Sequence, residues 1–198
     1  MTKATPFLFS AVTLIAIPWL TQQSAQPTPT QQEPTAVASQ QAATIAFPAE
    51  FKTVDGVIDA LYKSVSFGPG GECDWKMLEQ IFFPGAVFIQ PPKAGKKRKI
   101  IDLEGFFADF RAFIKESPVK KTGFWESVTN RTSDEFGDVA HSYVIFEARV
   151  EKDSPNHVGR GMDSIQLIRV DGRWWVSSIN TQFERANIKL PKRFLAKK

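Results

Sequence analysis

The stretch that decides the fold is RGMDSIQLIRVDGRWWVSSINTQF, residues 160–183. Apolar and polar residues alternate on both sides of the dipeptide Asp171-Gly172. An Asp-Gly pair between two alternating runs is typical of a two-residue hairpin turn of type I′. The stretch therefore predicts two antiparallel strands, Gly161–Val170 and Arg173–Phe183, joined by this turn.

This pairing divides the side chains of the hairpin between two faces of a sheet. We expect Ser178 opposite Ile165 and Asn180 opposite Asp163 on one inner face, with the two polar residues Asp163 and Asn180 at its end. The inner face is otherwise apolar, and the helices should cover it. The outer face carries large mixed side chains, which suit a partner subunit better than water. These outer residues are His141, Tyr143, Ile145, Glu147, Gln166, Ile168, Trp175 and Ser177.

A further strand, Val139–Glu151, precedes the hairpin. If the loop between them spans residues 152–159, Val144 lies beside Leu167 and Phe146 beside Ile165. Both pairs extend the inner apolar face. The remaining predicted strands are Ala86–Gln90 and Phe124–Thr132.

Three helices are predicted before the long strands. The first covers Val54–Ser66 with Thr53 as N-cap, and a short second helix follows Asp74. The third covers Leu103–Glu116 behind Asp102 and has a strongly apolar face. Helices followed by a meander of long strands form an α+β arrangement.

The first 49 residues carry the signs of a leader and a spacer. Lys3 is followed by an apolar run, Phe7–Leu20, which is too short to span a bilayer unaided. We interpret residues 1–25 as a secretory signal, or alternatively as an uncleaved membrane anchor, and expect export to the periplasm or the medium. Residues 26–49 are rich in Gln, Pro and Thr and are interpreted as a disordered linker. The folded domain is then 50–195.

Composition and charge limit the classes of partner that the protein can have. Of 198 residues 42% are hydrophobic, which is ample for a core, and the formal net charge is +4. Ten of the 25 basic residues lie in two acid-free segments, 93–99 and 186–198, which leaves fifteen against 21 acidic residues elsewhere. A nucleic-acid footprint would be a broader basic face, so we expect no nucleic acid. The two segments are either solvated or bind an anionic envelope surface.

Several motifs of the folded part resemble the nuclear transport factor 2-like superfamily. The similarity is to an uncharacterised bacterial branch with the cone fold of SnoaL-like and ketosteroid isomerase-like proteins. The motifs are ALYKSVSFGPGGECDW at 60–75, FWE at 124–126, EFGDVAH at 135–141, FEAR at 146–149, RGMDSIQL at 160–167 and RWWVSSI at 173–179.

The resemblance implies three helices packed on a strongly curved antiparallel sheet, with an apolar cavity inside the cone. It also implies a homodimer through the outer sheet face, where we place His141, Tyr143, Gln166 and Trp175. That branch often carries a Trp where this chain has Thr181, ahead of Gln182, which implies a different pocket lining.

The candidate chemistry centres on the inner end of the sheet. Isomerases of this superfamily need a carboxylate base and hydrogen-bond donors for an enolate oxygen. Tyr62 on the first helix could donate and Asp163 could act as base, because the strand 86–90 carries no carboxylate. The residues expected to bind a ligand are Tyr62, Trp75, Asp163, Ser178 and Asn180.

Other chemistry has less support. His141 falls on the outer face, and His157 falls in a loop. With one cysteine, Cys73, and no phosphate-binding motif, we expect neither a metal nor a cofactor. Glu126, Glu147 and Arg160 could form a charged network at the sheet rim.

Three functions remain open from the sequence. We favour an exported, dimeric, non-enzymatic domain that binds a small apolar ligand or a protein partner. The first alternative is an acid–base enzyme of the cyclase, isomerase or dehydratase kind, using Asp163, Asn180 and Tyr62. The second is an envelope-associated adaptor that binds through its basic loop and tail.

Overall fold

Six strands form one sheet, and helices cover its inner face. The computed structural model describes residues 47–92 and 97–195, which belong to one compact unit. The predicted signal and the linker up to residue 46 lie outside the described residues, as do parts of the two basic segments. In chain order the elements are α1 Val54–Val65, α2 Trp75–Ile81, β1 Phe82–Gln90, β2 Lys99–Ile101, α3 Leu103–Glu116, α4 Val119–Thr122, β3 Trp125–Phe136, β4 Val139–Arg149, β5 Gly159–Val170 and β6 Arg173–Phe183.

The strand order in the sheet is β2-β1-β6-β5-β4-β3. Four of the five strand pairings join strands that are consecutive in the chain and are antiparallel, and the fifth, between β1 and β6, is parallel. The predicted α+β class with helices over a curved sheet is confirmed. The short β2 and α4 were not predicted, because three or four residues show no periodicity.

Side-chain caps start the three predicted helices. Thr53 Oγ1 accepts from the Gly56 amide at 3.0 Å, Asp74 Oδ1 accepts from the Met77 amide at 2.9 Å, and Asp102 caps α3 in the same way. Each satisfies an amide that the first helical turn leaves unpaired. All three predicted N-caps are confirmed.

The core lies between the helices and the inner face and is rich in aromatic rings. Phe106 on α3 stacks on Phe88 of β1 with the ring centres 4.4 Å apart. Trp75 at the start of α2 meets the edge of Phe107 at 5.5 Å. These contacts fix α3 over the β1 side of the sheet and join it to α2.

A β-bulge changes the register of the β5–β6 hairpin. Leu167 pairs with Val176 as predicted, but one extra residue then enters β6, and Ile165 pairs with Ile179. Asp163 consequently pairs with Thr181, and the predicted pairings of Ser178 with Ile165 and of Asn180 with Asp163 are wrong. A one-residue bulge exchanges the two faces of the strand beyond it.

The β4–β5 register also differs from the prediction. Val144 pairs with Asp163 and Phe146 with Gly161, four residues away from the expected partners. The shift is even, so that both side chains remain on the inner face, as predicted.

The C-terminal segment returns to the outer face of the sheet. Phe194, in a short 3-10 helix, accepts a hydrogen bond from Asn130 Nδ2 at its carbonyl oxygen (2.8 Å). Its ring lies 5.3 Å from that of Tyr143. Ile145 is only 1% exposed although it points outward. Within 47–92 and 97–195, helices that could cross a membrane are absent.

Candidate functional site

The centre of the site is a hydrogen bond between α1 and β5. Tyr62 Oη donates to Asp163 Oδ2 at 2.6 Å, and both residues are buried. The two side chains are 101 positions apart in the chain. The structure thus brings together the two residues that the sequence singled out as candidate donor and base.

Thr181 completes the environment of Asp163. Its Oγ1 donates to Asp163 Oδ1 at 2.6 Å from the adjacent strand β6. Each carboxylate oxygen therefore accepts one hydrogen bond and keeps a second lone pair. The bulge in β6 is what turns Thr181, rather than Asn180, toward Asp163.

Glu126 is the second carboxylate of the interior. It pairs with Ala148, a core residue of the inner face, and its backbone amide donates to the hydroxyl of Ser66, which follows α1. Among the described residues, none donates a hydrogen bond to its side chain. Glu126 keeps some accessible surface, whereas Asp163 is only 8% exposed.

Burial shifts the acidity of this cluster toward the neutral form. Burial and then repulsion by Asp163 raise the pKa of Glu126 to about 8. Burial raises the pKa of Asp163 to about 6, although the hydrogen bonds from Thr181 and Tyr62 oppose the rise. The pKa of Tyr62 lies well above its ordinary value, because burial and the Asp163 charge both disfavour the phenolate. Burial, and next the charge of Glu126, raise the pKa of Cys73 to about 12.

Apolar side chains surround this polar cluster. The Tyr62 ring lies 6.1 Å from Phe146, and Phe146 meets the edge of Phe183 at 5.6 Å. Gly161 lets Phe146 approach the sheet, because a Cβ there would lie 3.0 Å from the ring. The hydrogen-bonded polar groups are therefore surrounded by apolar side chains.

Three residues predicted to bind a ligand lie elsewhere. Asn180 is exposed and accepts from Arg98 at 3.2 Å, and Ser178 pairs with Gln166 on the outer side of the bulge. The alternative that used Asn180 beside Asp163 loses its geometry for the same reason. Trp75 packs between α2 and α3, away from Asp163.

The residues predicted for a dimer interface do share the outer face. His141 Nε2 lies 2.9 Å from Ser164 Oγ, and its ring meets the edge of Tyr143 at 4.3 Å. Gln166 pairs with His141 and is exposed. Trp175 is half-buried under the Arg173 guanidinium, 3.5 Å from the ring centre. The dimer itself stays a prediction.

A charged network lies on the outer face, and Glu126 does not belong to it. Glu147 contacts Arg149 and lies 3.9 Å from Arg160, which binds Glu184 at 2.8 Å. Glu126 faces the opposite side of the sheet. Groups of three or more His, Cys, Asp or Glu with metal-binding geometry do not occur in the part of the chain that the structure describes.

Two of the cavities of the described domain open on its helical side. One, of about 310 Å³, lies between α2, α3 and α4, and the other, of about 190 Å³, lies between α1 and α2. Neither is lined by Tyr62, Glu126 or Asp163.

With this geometry in hand, comparison with known proteins settles the fold. No family model and no curated protein matches the chain. Among solved structures, it is similar to a proposed dehydratase from the NTF2-like family of Streptomyces avermitilis, with 11% identity, a TM-score of 0.52 and coverage of 69% of this chain and 97% of that one. An NTF2-like protein of unknown function from Shewanella baltica has 16% identity and a TM-score of 0.46, with 66% and 92% coverage.

A proposed ketosteroid isomerase from Shewanella frigidimarina has 20% identity and a TM-score of 0.40, with 54% and 80% coverage. At these identities the likeness concerns the fold. The chain has the nuclear transport factor 2-like cone fold, as its motifs predicted.

The roles of Thr181 and Glu126 were not predicted from the sequence. Thr181 was noted only as a departure from the motif, because a bulge has no clear signal in alternating residues. Glu126 was placed with the rim charges. Its position in the FWE motif, next to a strand start, left its face undecided.

Proposed function

We propose that the domain is an acid–base enzyme that moves a proton on a small, mainly apolar substrate inside the cone. The observation that carries this proposal is the Tyr62–Asp163–Thr181 hydrogen-bond set, with Glu126 beside it. A buried carboxylate beside a half-buried one destabilises a fold, and a merely structural interior would be better served by apolar side chains. Polar groups retained at such a cost are a mark of functional sites.

The different pKa values of Asp163 and Glu126 give the two carboxyl groups different roles. With its pKa near 6, Asp163 is largely ionised at neutral pH and can accept a proton from a carbon next to a carbonyl. With its pKa near 8, Glu126 holds its proton and can donate to the oxygen on which the electrons collect. Tyr62 and Thr181 position Asp163. Isomerisation and elimination are the reaction classes that need this pair.

The test uses exchange of the α-hydrogens of cyclohexanone in deuterated buffer, followed by proton NMR. We expect the wild-type protein to accelerate exchange, and Asp163→Asn to lower the protein-dependent rate by about 100-fold or more, the usual effect of losing a general base. Glu135→Gln, on an exposed part of β3, is the control and should leave the rate unchanged. Equal rates for wild type and Asp163→Asn would refute the catalytic role.

A second candidate, favoured by the sequence analysis, is a non-enzymatic domain that binds a small apolar ligand. The observation in its favour is that Asp163 is already paired by two side chains of the protein, and that neither cavity reaches it. In that case Asp163→Asn leaves exchange unaffected, and the wild type and the variant retain the same hydrophobic molecules, as measured by native mass spectrometry.

We further propose that the domain is exported and forms a homodimer through the outer sheet face. The leader-like residues 1–25 and the mixed outer face support this. Native mass spectrometry of the protein purified from its own host measures the mature N-terminus and the subunit count together. A monomer would contradict the dimer, and recovery of the protein from the cytoplasmic fraction with its N-terminus uncleaved would contradict export.

A further inference from the structure

The cavity between α2, α3 and α4 lies apart from the Asp163 cluster and has its own chemistry. It is lined by Glu72, Trp75, Arg111, Ile114, Lys115 and Lys120. Its volume of about 310 Å³ matches the lower end of the size range of small-molecule sites. Three of its six side chains are cationic and one is anionic, so that the lining carries a net charge of about +2.

Arg111 is held in a fixed orientation over aromatic rings. Its guanidinium carbon lies 4.5 Å from the centre of the Trp75 ring and 5.6 Å from that of Phe107. The two rings cover one side of the guanidinium, and its five N–H groups form a planar fork that suits two oxygens of one anion. Lysine carries a single ammonium group in place of a planar fork of donors, and it cannot provide this arrangement.

The cations of this cavity lack acidic partners in the described chain. Within residues 47–92 and 97–195, Arg111, Lys115 and Lys120 form none of the ion pairs. The one acid, Glu72, accepts from the Trp75 indole N–H at 3.3 Å. Positive charge that gathers around a concave surface without compensation attracts anions.

Backbone contacts hold the cavity walls together. The Gly70 amide donates to the Lys120 carbonyl oxygen at 2.8 Å, which ties the loop before α2 to α4. Buried Ile114 and the Trp75 ring supply an apolar floor. The site is therefore cationic at its rim and apolar at its base.

We propose that this cavity binds a phosphate monoester attached to an apolar or aromatic group. A phosphate monoester carries a charge of about −1.5 to −2 at neutral pH, which matches the net charge of the lining. Arg111 binds two phosphate oxygens, Lys115 and Lys120 contribute further charge, and the apolar body of the ligand lies against Trp75 and Ile114. This site goes beyond the proton-transfer function proposed above and does not depend on it.

The test is a titration of the ¹⁵N-labelled full chain with phenyl phosphate, followed at the indole N–H of Trp75. Trp75→Phe identifies this resonance among the five tryptophans. We expect a saturable shift, with phenyl phosphate binding more tightly than inorganic phosphate, which lacks the ring, and than benzoate, which carries one charge.

Variants separate the site from general attraction of anions. Arg111→Gln should weaken phenyl phosphate binding by about tenfold or more, and Arg111→Lys by nearly as much, since charge-assisted forked bonds are lost in both. Arg193→Gln is the matched control, because Arg193 also stacks on an aromatic ring, Phe194, at 4.7 Å but lies outside the cavity. Binding that is equally weak in Arg111→Gln and Arg193→Gln, or the absence of saturation, would overturn the proposal.

Discussion

Asp163 receives two hydrogen bonds of 2.6 Å, one from a helix and one from a neighbouring strand. Both donors favour the ionised carboxylate, whereas burial opposes ionisation more strongly. The acidity of this residue is therefore a balance that single substitutions can move in a known direction.

Removing the Tyr62 hydroxyl should raise the pKa of Asp163. In Tyr62→Phe we expect the pKa of Asp163 to rise above its value of about 6 and the stability to fall by about 2 kcal/mol, as for a lost hydrogen bond to a charged group. Carbon-13 NMR of the labelled Asp carboxyl group measures the pKa. The control is Tyr143→Phe, at the one other tyrosine, which lies on the outer face. An unchanged Asp163 titration in Tyr62→Phe would contradict the role assigned to the hydroxyl.

The raised pKa values also make stability depend on pH. Because folding raises the pKa of Glu126 from 4.5 to about 8 and that of Asp163 from 3.8 to about 6, the folded state binds protons more tightly than the unfolded state. The contribution of these two groups to the free energy of unfolding is therefore largest below about pH 4 and is lost as the pH rises through 6 and 8. The fall is at most about 1.4 kcal/mol per pH unit for each group. The lowered pKa of Glu184 acts in the opposite sense but only below its ordinary 4.5.

Replacing Glu126 should remove much of this dependence. We expect Glu126→Gln to be more stable than the wild type at pH 8, by about 1 kcal/mol or more, and to lose little stability between pH 6 and 8, above the titration of Asp163. Urea unfolding at a series of pH values measures the effect. Glu135→Gln, exposed on the same strand, should follow the wild-type curve. If the two variants behave alike, the Glu126 carboxylate is not the group that titrates.

Of the four residues in the cluster, two were predicted from the sequence. Tyr62 lay next to an apolar helical stripe and Asp163 on an apolar face, so their meeting could be predicted from periodicity. Thr181 and Glu126 could not, because the face of each depends on a bulge or a strand start that alternation leaves open.

Among the secondary-structure elements, the β5–β6 hairpin shows how turn residues set the pairing of two strands. Its turn residues Asp171 and Gly172 have φ angles of 51° and 76°, the combination that a type I′ turn requires. The first four pairs beyond the turn follow the predicted register, and the bulge beyond Leu167 then changes it. Turn chemistry fixed the start of the pairing, and the irregularity could not be read from the chain.

A substitution in this turn tests its contribution to stability. Gly172→Ala should cost about 1 kcal/mol, because an L-residue is strained at a φ of 76°. Gly68→Ala is the matched control: a Cβ meets nothing within 4 Å at either glycine, but Gly68 has an ordinary φ. Thermal unfolding compares the two variants. Equal losses would mean that backbone strain at residue 172 is not the cause.

The β4–β5 pairing shows a different limit. Alternation predicted the inner face of Val144 and Phe146 correctly, but it left their partners four residues off. An alternating pattern shows which side of the sheet a residue faces. It does not distinguish strand registers that differ by an even number of residues. Loop length would have to be known to choose among them.

For the molecule as a whole, the outer face of the sheet is already partly covered by its own chain. Phe194 is 8% exposed and lies against Tyr143, one of the residues predicted for a dimer interface. A partner subunit would therefore meet the C-terminal segment as well as the strands. The motif resemblance predicted the cone and its outer face, but the return of the C-terminus had no counterpart in the periodicity.

Removing the Phe194 side chain should destabilise the domain. Phe194→Ala is expected to lower the free energy of unfolding by about 3 kcal/mol, as for other buried Phe-to-Ala changes. The neighbouring Leu195→Ala, 46% exposed, should change it by less than about 0.5 kcal/mol. Denaturant unfolding measures both. A small effect of Phe194→Ala would show that the C-terminal segment adds little to the fold.

The buried Cys73 gives the domain an internal reporter of its own motions. Its Sγ lies 3.6 Å from the Val65 carbonyl oxygen, where α1 ends and the loop to α2 begins, and it is the one thiol of the chain. Because the thiol is enclosed and its pKa is about 12, an alkylating reagent reacts with it only when this region opens to solvent. The rate of alkylation, measured with and without phenyl phosphate in the adjoining cavity, therefore gives the opening equilibrium of α1 and α2 without any added label.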